Sequence, residues 1–217
     1  MNRRADLILE TFPVGPLQCN CSIVGCATTR DALVIDPGEE PDRVIEALDR
    51  LGLRARALLH THAHFDHIAA TKVVAARTGA LAALHVDDRP LYEHLADQTA
   101  WFGLPPVETP SIDRWLKDGD RVRAGEAETE VVHTPGHTPG SVCFRFNGGP
   151  LFTGDTLFAG SVGRTDLWGG SSAQLFESIR TRLLPLPDDT PVIPGHGPAT
   201  TIGRERRLNP FVAALNP

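Results

Sequence analysis

From Thr61 to His67 the chain reads Thr-His-Ala-His-Phe-Asp-His, placing three histidines and a carboxylate within a single short segment. Imidazoles this dense repel one another on protonation, and buried ones must be paired or ligated. A divalent cation that draws on their lone pairs meets both conditions. His62 and His64, two apart on an extended loop, can point to one side and share an ion, while Asp66 and His67 turn toward a second. Such a segment makes half a site. Three downstream segments supply the remainder: Thr134-Pro-Gly-His137-Thr-Pro-Gly140, Thr153-Gly-Asp155-Thr156 and Pro194-Gly-His196-Gly-Pro198. Each follows an apolar run (Val131-Val132, Leu151-Phe152, Val192-Ile193), so each ligand is expected on a loop where a strand leaves the core. The neighbouring glycines allow close backbone approach, and the prolines set the entry angle.

His62, His64, His67, His137 and His196 with Asp66 and Asp155 make seven candidate ligands, which suit two ions better than one. Imidazole and carboxylate favour zinc, iron or manganese over calcium, whose sites are built from oxygen. No cysteine lies near the ladder, so no thiolate singles out zinc.

These residues need strands to carry them. Strand signals fall at residues 7–11, 21–24, 32–35, 57–60, 82–85, 129–133, 142–146, 151–153 and 192–194. Helix signals fall at 41–51, where Val44, Ile45, Leu48 and Leu51 share a face behind Pro41, and at 68–77, 90–101 and 172–184. Arg204, Arg206 and Arg207 sit in a short C-terminal helix. They are read as a solvated face near the negative end of its dipole, with an anionic-substrate contact as the sharper alternative. Hairpin-like strands mixed with flanking helices exclude a purely alternating doubly wound sheet.

The ladder, the Thr-Pro-Gly-His-Thr-Pro-Gly-Ser turn, Gly-Asp-Thr-Leu-Phe and Pro-Gly-His-Gly-Pro, in this order, resemble the metallo-β-lactamase superfamily, and within it the glyoxalase II-like hydrolases. Asp36-Pro37-Gly38, the Gly163-Arg164-Thr165-Asp166 loop and Asn209-Pro210 extend the likeness along nearly all of the 217 residues. The resemblance implies an α/β fold of the αββα sandwich type, with the metal site at one edge between the sheets. It implies that His62, His64 and His137 hold one ion, that Asp66, His67 and His196 hold the other, and that Asp155 bridges them. The cofactors are then two divalent ions, zinc first, with iron or manganese as alternatives. Asp66 and Asp155 are the expected catalytic carboxylates, Asp66 orienting the nucleophile. The implied substrate is a small-molecule thioester such as S-D-lactoylglutathione, cleaved to a 2-hydroxy acid and a free thiol.

Arg164, Phe158 and Trp168, on or beside the loop after Asp155, are the candidate substrate contacts. Two-domain glyoxalase II enzymes bind glutathione partly through a C-terminal helical domain; with 21 residues after His196, this chain resembles single-domain relatives, and Tyr92 to Lys117 is the expected cover. A persulfide dioxygenase with one iron on His62, His137 and Asp155 resembles the chain around Arg164 and is the alternative enzyme. The Asp155 and His67 pattern fits a β-lactamase less well.

Without a low-complexity linker, residues 1–217 are expected to form one domain. The apolar stretch before Glu10 is only three residues, too short for an export signal or membrane span, and Cys19, Cys21, Cys26 and Cys143 lack metal-finger spacing. A cytoplasmic protein with free thiols follows. A net charge of −6 opposes a nucleic-acid surface. His60, His85, His94 and His133 are read as structural, though His60 and His133, just before ligand segments, could orient a ligand.

Overall fold

Apolar runs in the first half of the chain pair into a six-stranded sheet: β1 (Leu7–Val14), β2 (Cys19–Cys26), β3 (Asp31–Ile35), β4 (Arg54–Leu59), β5 (Leu81–His85) and β6 (Arg114–Leu116), adjacent in that order. The structure is a computed structural model describing residues 6–108 and 110–213. β1 to β3 pair antiparallel, and from β3 to β6 the pairing is parallel. Parallel neighbours need crossovers, and helices fill them. α1 (Pro41–Leu51) links β3 to β4, α2 (Phe65–Ile68) and α3 (Thr71–Thr78) link β4 to β5, and α4 (Arg89–Glu93) and α5 (Leu95–Trp101) lie between β5 and β6.

The second half builds another six-stranded sheet from β7 (Arg121–Ala124), β8 (Ala127–His133), β9 (Val142–Phe146), β10 (Leu151–Gly154), β13 (Pro191–Pro194) and β14 (Thr200–Thr201), ordered β14-β13-β10-β9-β8-β7. A two-stranded hairpin, β11 (Leu157–Phe158) and β12 (Ser161–Val162), projects after β10. α6 (Ser172–Ser178), continued by a π-helical turn over Ile179–Leu183, precedes β13, and α7 (Ile202–Leu208) follows β14.

Three apolar layers hold these elements. Ile23, Val34 and Leu58 pack with Val44, Leu48 and Val74 of α1 and α3 on one outer face. Leu33, Ile35 and Leu59 meet Val122, Val131, Phe144 and Phe152 between the sheets. Leu151 and Val192 pack with Leu175, Ile179 and Ile202 on the other outer face. This is the expected αββα order. Phe144 is fully buried in the middle layer, and truncating its ring to alanine would forfeit about 3–5 kcal/mol. A smaller cluster of Phe65, Ile68, Leu84, Leu91, Tyr92 and Leu95 seats α4 and α5 beside the histidine ladder.

α1 begins and ends where the periodicity predicts. Pro41 occupies its first turn, and Gly52 closes it in the left-handed region at φ 61°. Other boundaries move. The helix expected over 68–77 is α3, and a separate turn of helix, α2, precedes it and carries Asp66 and His67. The helix expected over 90–101 breaks at His94, whose φ of −111° and ψ of 24° leave the helical region. β6, β7, β14 and the β11–β12 hairpin escape the sequence reading: each strand has two to four residues, too few for alternation to register, and none ends in a ligand turn like those that mark the equally short β10 and β13. The four cysteines are free and buried. Among the described residues no helix is long and apolar enough to cross a membrane.

Candidate metal centre

The ladder leaves the end of β4, and the other candidates stand on turns leaving β8, β10 and β13, so the loops converge at one edge of the two sheets. His62, His64 and His137 form one group: His62 Nε2 lies 3.0 Å from His64 Nδ1, and His137 Nε2 lies 3.2 Å and 2.9 Å from those two atoms. Asp66, His67 and His196 form a second, with His196 Nε2 3.3 Å and His67 Nε2 3.7 Å from Asp66 Oδ2. Asp155 stands between them. Its Oδ2 lies 3.6 Å from His137 Nε2, and its Oδ1 lies 3.6 Å from His67 Nε2 and 3.7 Å from His196 Nε2. All seven sequence candidates therefore meet at one place.

The outward ring nitrogens decide what the inward ones can do. His137 Nδ1 donates to the Arg164 carbonyl at 2.8 Å, and His196 Nδ1 donates to the Leu17 carbonyl at 3.0 Å. His67 Nδ1 donates to Asp36 Oδ2 at 3.0 Å. Thr61 Oγ1 already donates to Asp36 Oδ2, so it accepts from His62 Nδ1, 3.1 Å away. In the neutral ring one nitrogen carries the proton and the other a lone pair, so these four histidines, once neutral, present lone pairs inward to a cation. His67 Nε2 and Asp155 Oδ1 are buried without any hydrogen-bond partner. Orphaned buried polar atoms are costly, and a cation between them would satisfy both. The donors fit a pair of borderline divalent ions.

Electrostatics separate the two groups. Burial first, and then the neighbouring imidazoles, drive the His62 pKa well below its usual value. Burial, followed by His137, takes His64 down to about 3. At His67 burial works against charge, but Cys19, Asp66, Asp36 and Asp155 outweigh it and raise the pKa. His196 is also raised, its burial overcome by Asp66 and Asp155. Burial of Asp66 opposes its ionisation, yet His67 and His196 hold the carboxyl below the ordinary range.

The close packing explains one glycine. A β-carbon on Gly195 would run into Asp155 Oδ1 and lie 2.9 Å from the His67 ring. Only glycine lets the β13 loop pass this near both groups.

The three substrate candidates are placed differently. Phe158 sits beside the second group, its ring 6.4 Å from that of His196. Trp168 is half exposed and meets His94 of the cover at 6.0 Å. Arg164 serves His137 through its carbonyl, while its guanidinium forks onto Asp166 at 2.7 and 2.8 Å. A cleft of about 370 Å³ lined by Phe65, Thr99, Leu104 and Val107 lies beside the ladder. A larger one of about 540 Å³, among Arg121, Glu130 and Arg145, contains none of the candidate ligands.

His133 serves its own turn rather than Asp155: its Nε2 donates to the Pro139 carbonyl at 2.8 Å, bracing the loop after His137. His60 meets Thr71 at 3.2 Å. The orienting residue that sequence reasoning missed is Asp36, which holds Thr61 and His67 together. Its signal was a carboxylate ending a strand before Pro-Gly, and its φ of 47° marks a constrained backbone. A further trio, His85, Asp87 and His133, clusters elsewhere. The rings of His85 and His133 stack at 4.1 Å and 17°, so their in-plane lone pairs run parallel instead of converging on an ion. Arg206 and Arg207 pair with Asp188 and tie α7 to the turn before β13, so Arg206, which also donates to the Leu184 and Leu186 carbonyls, is not the solvated face expected of it.

The chain belongs to the metallo-β-lactamase superfamily, whose family model matches residues 14–196. It is 41% identical over 207 residues to hydroxyacylglutathione hydrolase GloC of Haemophilus influenzae, covering 94% of this chain and 97% of that one. Among solved structures it is similar to BLEG-1, described as a B3 metallo-β-lactamase (38% identity, TM-score 0.88, covering 94% of this chain and 99% of that one). TTHA1623 in a di-iron-bound form shares 42% identity with a TM-score of 0.85, covering 93% and 99%. ETHE1 from Myxococcus xanthus shares 32% with a TM-score of 0.81, covering 95% and 85%.

Proposed function

We propose that the protein is a binuclear metal-dependent thioester hydrolase acting on S-D-lactoylglutathione or a related 2-hydroxyacyl thioester. The observation that carries this reading is Asp155, whose two oxygens face different ligand groups. His62, His64 and His137 would hold one ion, Asp66, His67 and His196 the other, and Asp155 both. Zinc, or alternatively iron or manganese, would supply Lewis acidity and make hydroxide available near neutral pH, the pKa of water falling to roughly 7.

The chain contributes placement. Asp66, kept ionised by its histidine neighbours, stays an acceptor that orients the attacking water toward the thioester carbonyl. Attack breaks the carbon–sulfur bond and releases the thiol. Phe158 and Trp168 flank the acyl and thiol portions, and Arg164 exchanges Asp166 for a substrate carboxylate. The identity with GloC supports the thioester class. The same reading makes residues 1–217 one domain working on a small molecule in the cytoplasm, with no nucleic-acid partner.

The test is elemental analysis of protein purified without added metal, followed by thioester cleavage under nitrogen. About two ions per chain, as two-metal chemistry requires, and turnover after zinc reconstitution are expected. The likeness to ETHE1 favours a second reading, a persulfide dioxygenase with one iron on His62, His137 and Asp155. One iron per chain, oxygen uptake with glutathione persulfide and no anaerobic thioester cleavage would replace the hydrolase. The likeness to BLEG-1 adds a β-lactam to the assay; a higher kcat/KM for it than for the thioester would change the substrate class.

A further inference from the structure

Asp88 is wholly buried at the end of the turn that follows β5. A buried carboxylate must be satisfied by strong donors, and the donors it has chosen come from the two segments that carry the first ligand group. Ala63, between His62 and His64, donates its N–H to Asp88 Oδ2 at 2.8 Å. Thr138, next to His137, donates its hydroxyl to the same oxygen at 2.8 Å, and Gly140 donates its N–H to Oδ1 at 2.6 Å. A β-carbon on Gly140 would lie 2.5 Å from the Asp88 backbone nitrogen, so the second glycine of the Thr-Pro-Gly-His-Thr-Pro-Gly turn is there to let Asp88 in.

Gln98 of α5 completes the hold. Its Nε2 donates to the Ala63 carbonyl and to the Leu91 carbonyl, both at 3.0 Å, and its Oε1 accepts from Phe65 N–H at 3.1 Å. The two side chains thus occupy both polar groups of Ala63 and the N–H of Phe65, the residues on either side of His64. His64 itself has extended backbone, at φ −82° and ψ 146°, just before α2. The second ligand group is anchored elsewhere, through Asp36 and the Leu17 carbonyl. Among the described residues no hydrogen bond runs from segment 86–101 to Asp66, His67 or His196.

We infer that Asp88 and Gln98 are positioning residues that make the three-histidine group, and not the second group, depend on the cover segment between β5 and β6. The inference rests on the two-ion reading above. It gives the cover a part in assembling the centre in addition to enclosing it. It also joins His64 to the helix that ends in exposed Trp101 and Phe102, so contact of a substrate with those rings and the geometry of the first group are linked through Gln98.

The test uses the full chain, stripped with a chelator and titrated with zinc against a chromophoric competitor, and in parallel with cobalt for its absorption spectrum. His64→Ala and His196→Ala, each sparing one group, provide the reference spectra. In Asp88→Asn and Gln98→Leu the ion at the three-histidine group should bind about 10–100-fold more weakly, the scale for groups that orient metal ligands. The other ion should keep its affinity and spectrum. Thr138→Val, which deletes one donor to Asp88 at little change of shape, should show the same selective loss to a smaller degree, and it decides the matter should Asp88→Asn fail to fold. Equal weakening of both ions, or of neither, in variants of a wild type that binds two would overturn the positioning role and leave the two-ion reading standing. A wild type that binds nothing at the three-histidine group would overturn both.

Discussion

The two ligand groups lie side by side, share Asp155, and differ in electrostatic character. The first is three imidazoles, of which His62 is driven down by burial and then by His67 and His137, and His64 by burial and then by His137. The second mixes two imidazoles with a carboxylate, and its acidic neighbours raise His67 and His196 while lowering Asp66. His62 and His64 therefore offer lone pairs to a cation without shedding protons, whereas at His67 and His196 a cation competes with protons. The anchoring differs as well: the first group is braced by Asp88 and Gln98 from the cover, the second by Asp36 and the Leu17 carbonyl from the first sheet. The Asp155 carboxylate, one oxygen toward each, is what joins these unlike halves.

Removing that shared group should erase the comparison. Asp155→Ala is expected to cost metal at both groups and to lower kcat by on the order of 10²–10³, the scale of losing one electrostatic stabiliser. Elemental analysis beside thioester turnover measures it, and a variant retaining both ions with near-normal turnover would contradict the bridging position.

Asp36→Asn should come next. It weakens the acceptor of His67 Nδ1 directly and that of His62 only through Thr61. Metal affinity should fall by about 10–100-fold at the second group and less at the first, as read by zinc competition.

Proton competition sharpens the contrast without mutation. His67 and His196 hold protons above the usual 6.5, so binding at the second group must expel them. Its affinity should fall by about tenfold for each pH unit of acidification per proton displaced. Affinity at the first group should fall less steeply, because His62 is depressed and His64 titrates only at about 3, so neither has a proton to displace there. The metal-free protein obeys the matching linkage. Histidines depressed in the folded state bind fewer protons than in the unfolded chain as pH drops below 6.5, so His62 and His64 withdraw stability on acidification. The raised pair acts oppositely, contributing fully below 6.5 and losing that contribution as pH climbs through their folded values. Thermal melts of chelator-treated protein should thus show an acid-side decline that His64→Ala reduces.

The smallest effect is expected at Arg164. Its guanidinium is exposed and already paired with Asp166, and exchanging one exposed partner for another changes the energy by up to about 1 kcal/mol. Arg164→Ala should raise KM by roughly fivefold or less and leave kcat near normal, the pattern of lost uniform binding. A collapsed kcat with unchanged KM would move Arg164 into the chemistry.

The seven candidate ligands could be found in the sequence because His62, His64, Asp66 and His67 crowd into one short segment, while Asp155 follows a glycine and His137 and His196 are framed by glycine and proline, each after an apolar run. The long strands and α1 could be found because alternation and helical spacing accumulate over five or more residues. Asp36, Asp88 and Gln98 could not. As letters they are ordinary polar residues, and their roles consist of hydrogen bonds to groups 25 to 52 positions away for the carboxylates and 33 to 35 for the amide's grip on the ladder. The sequence alone determined which atoms could bind a cation and on which turns they stand. The tertiary structure decided how those atoms divide into two groups, which nitrogen of His62, His67, His137 and His196 carries the proton, and which half answers to the cover. These depend on buried partners contributed by distant segments, and no local pattern encodes where a distant hydrogen-bond acceptor will lie once the sheets have packed.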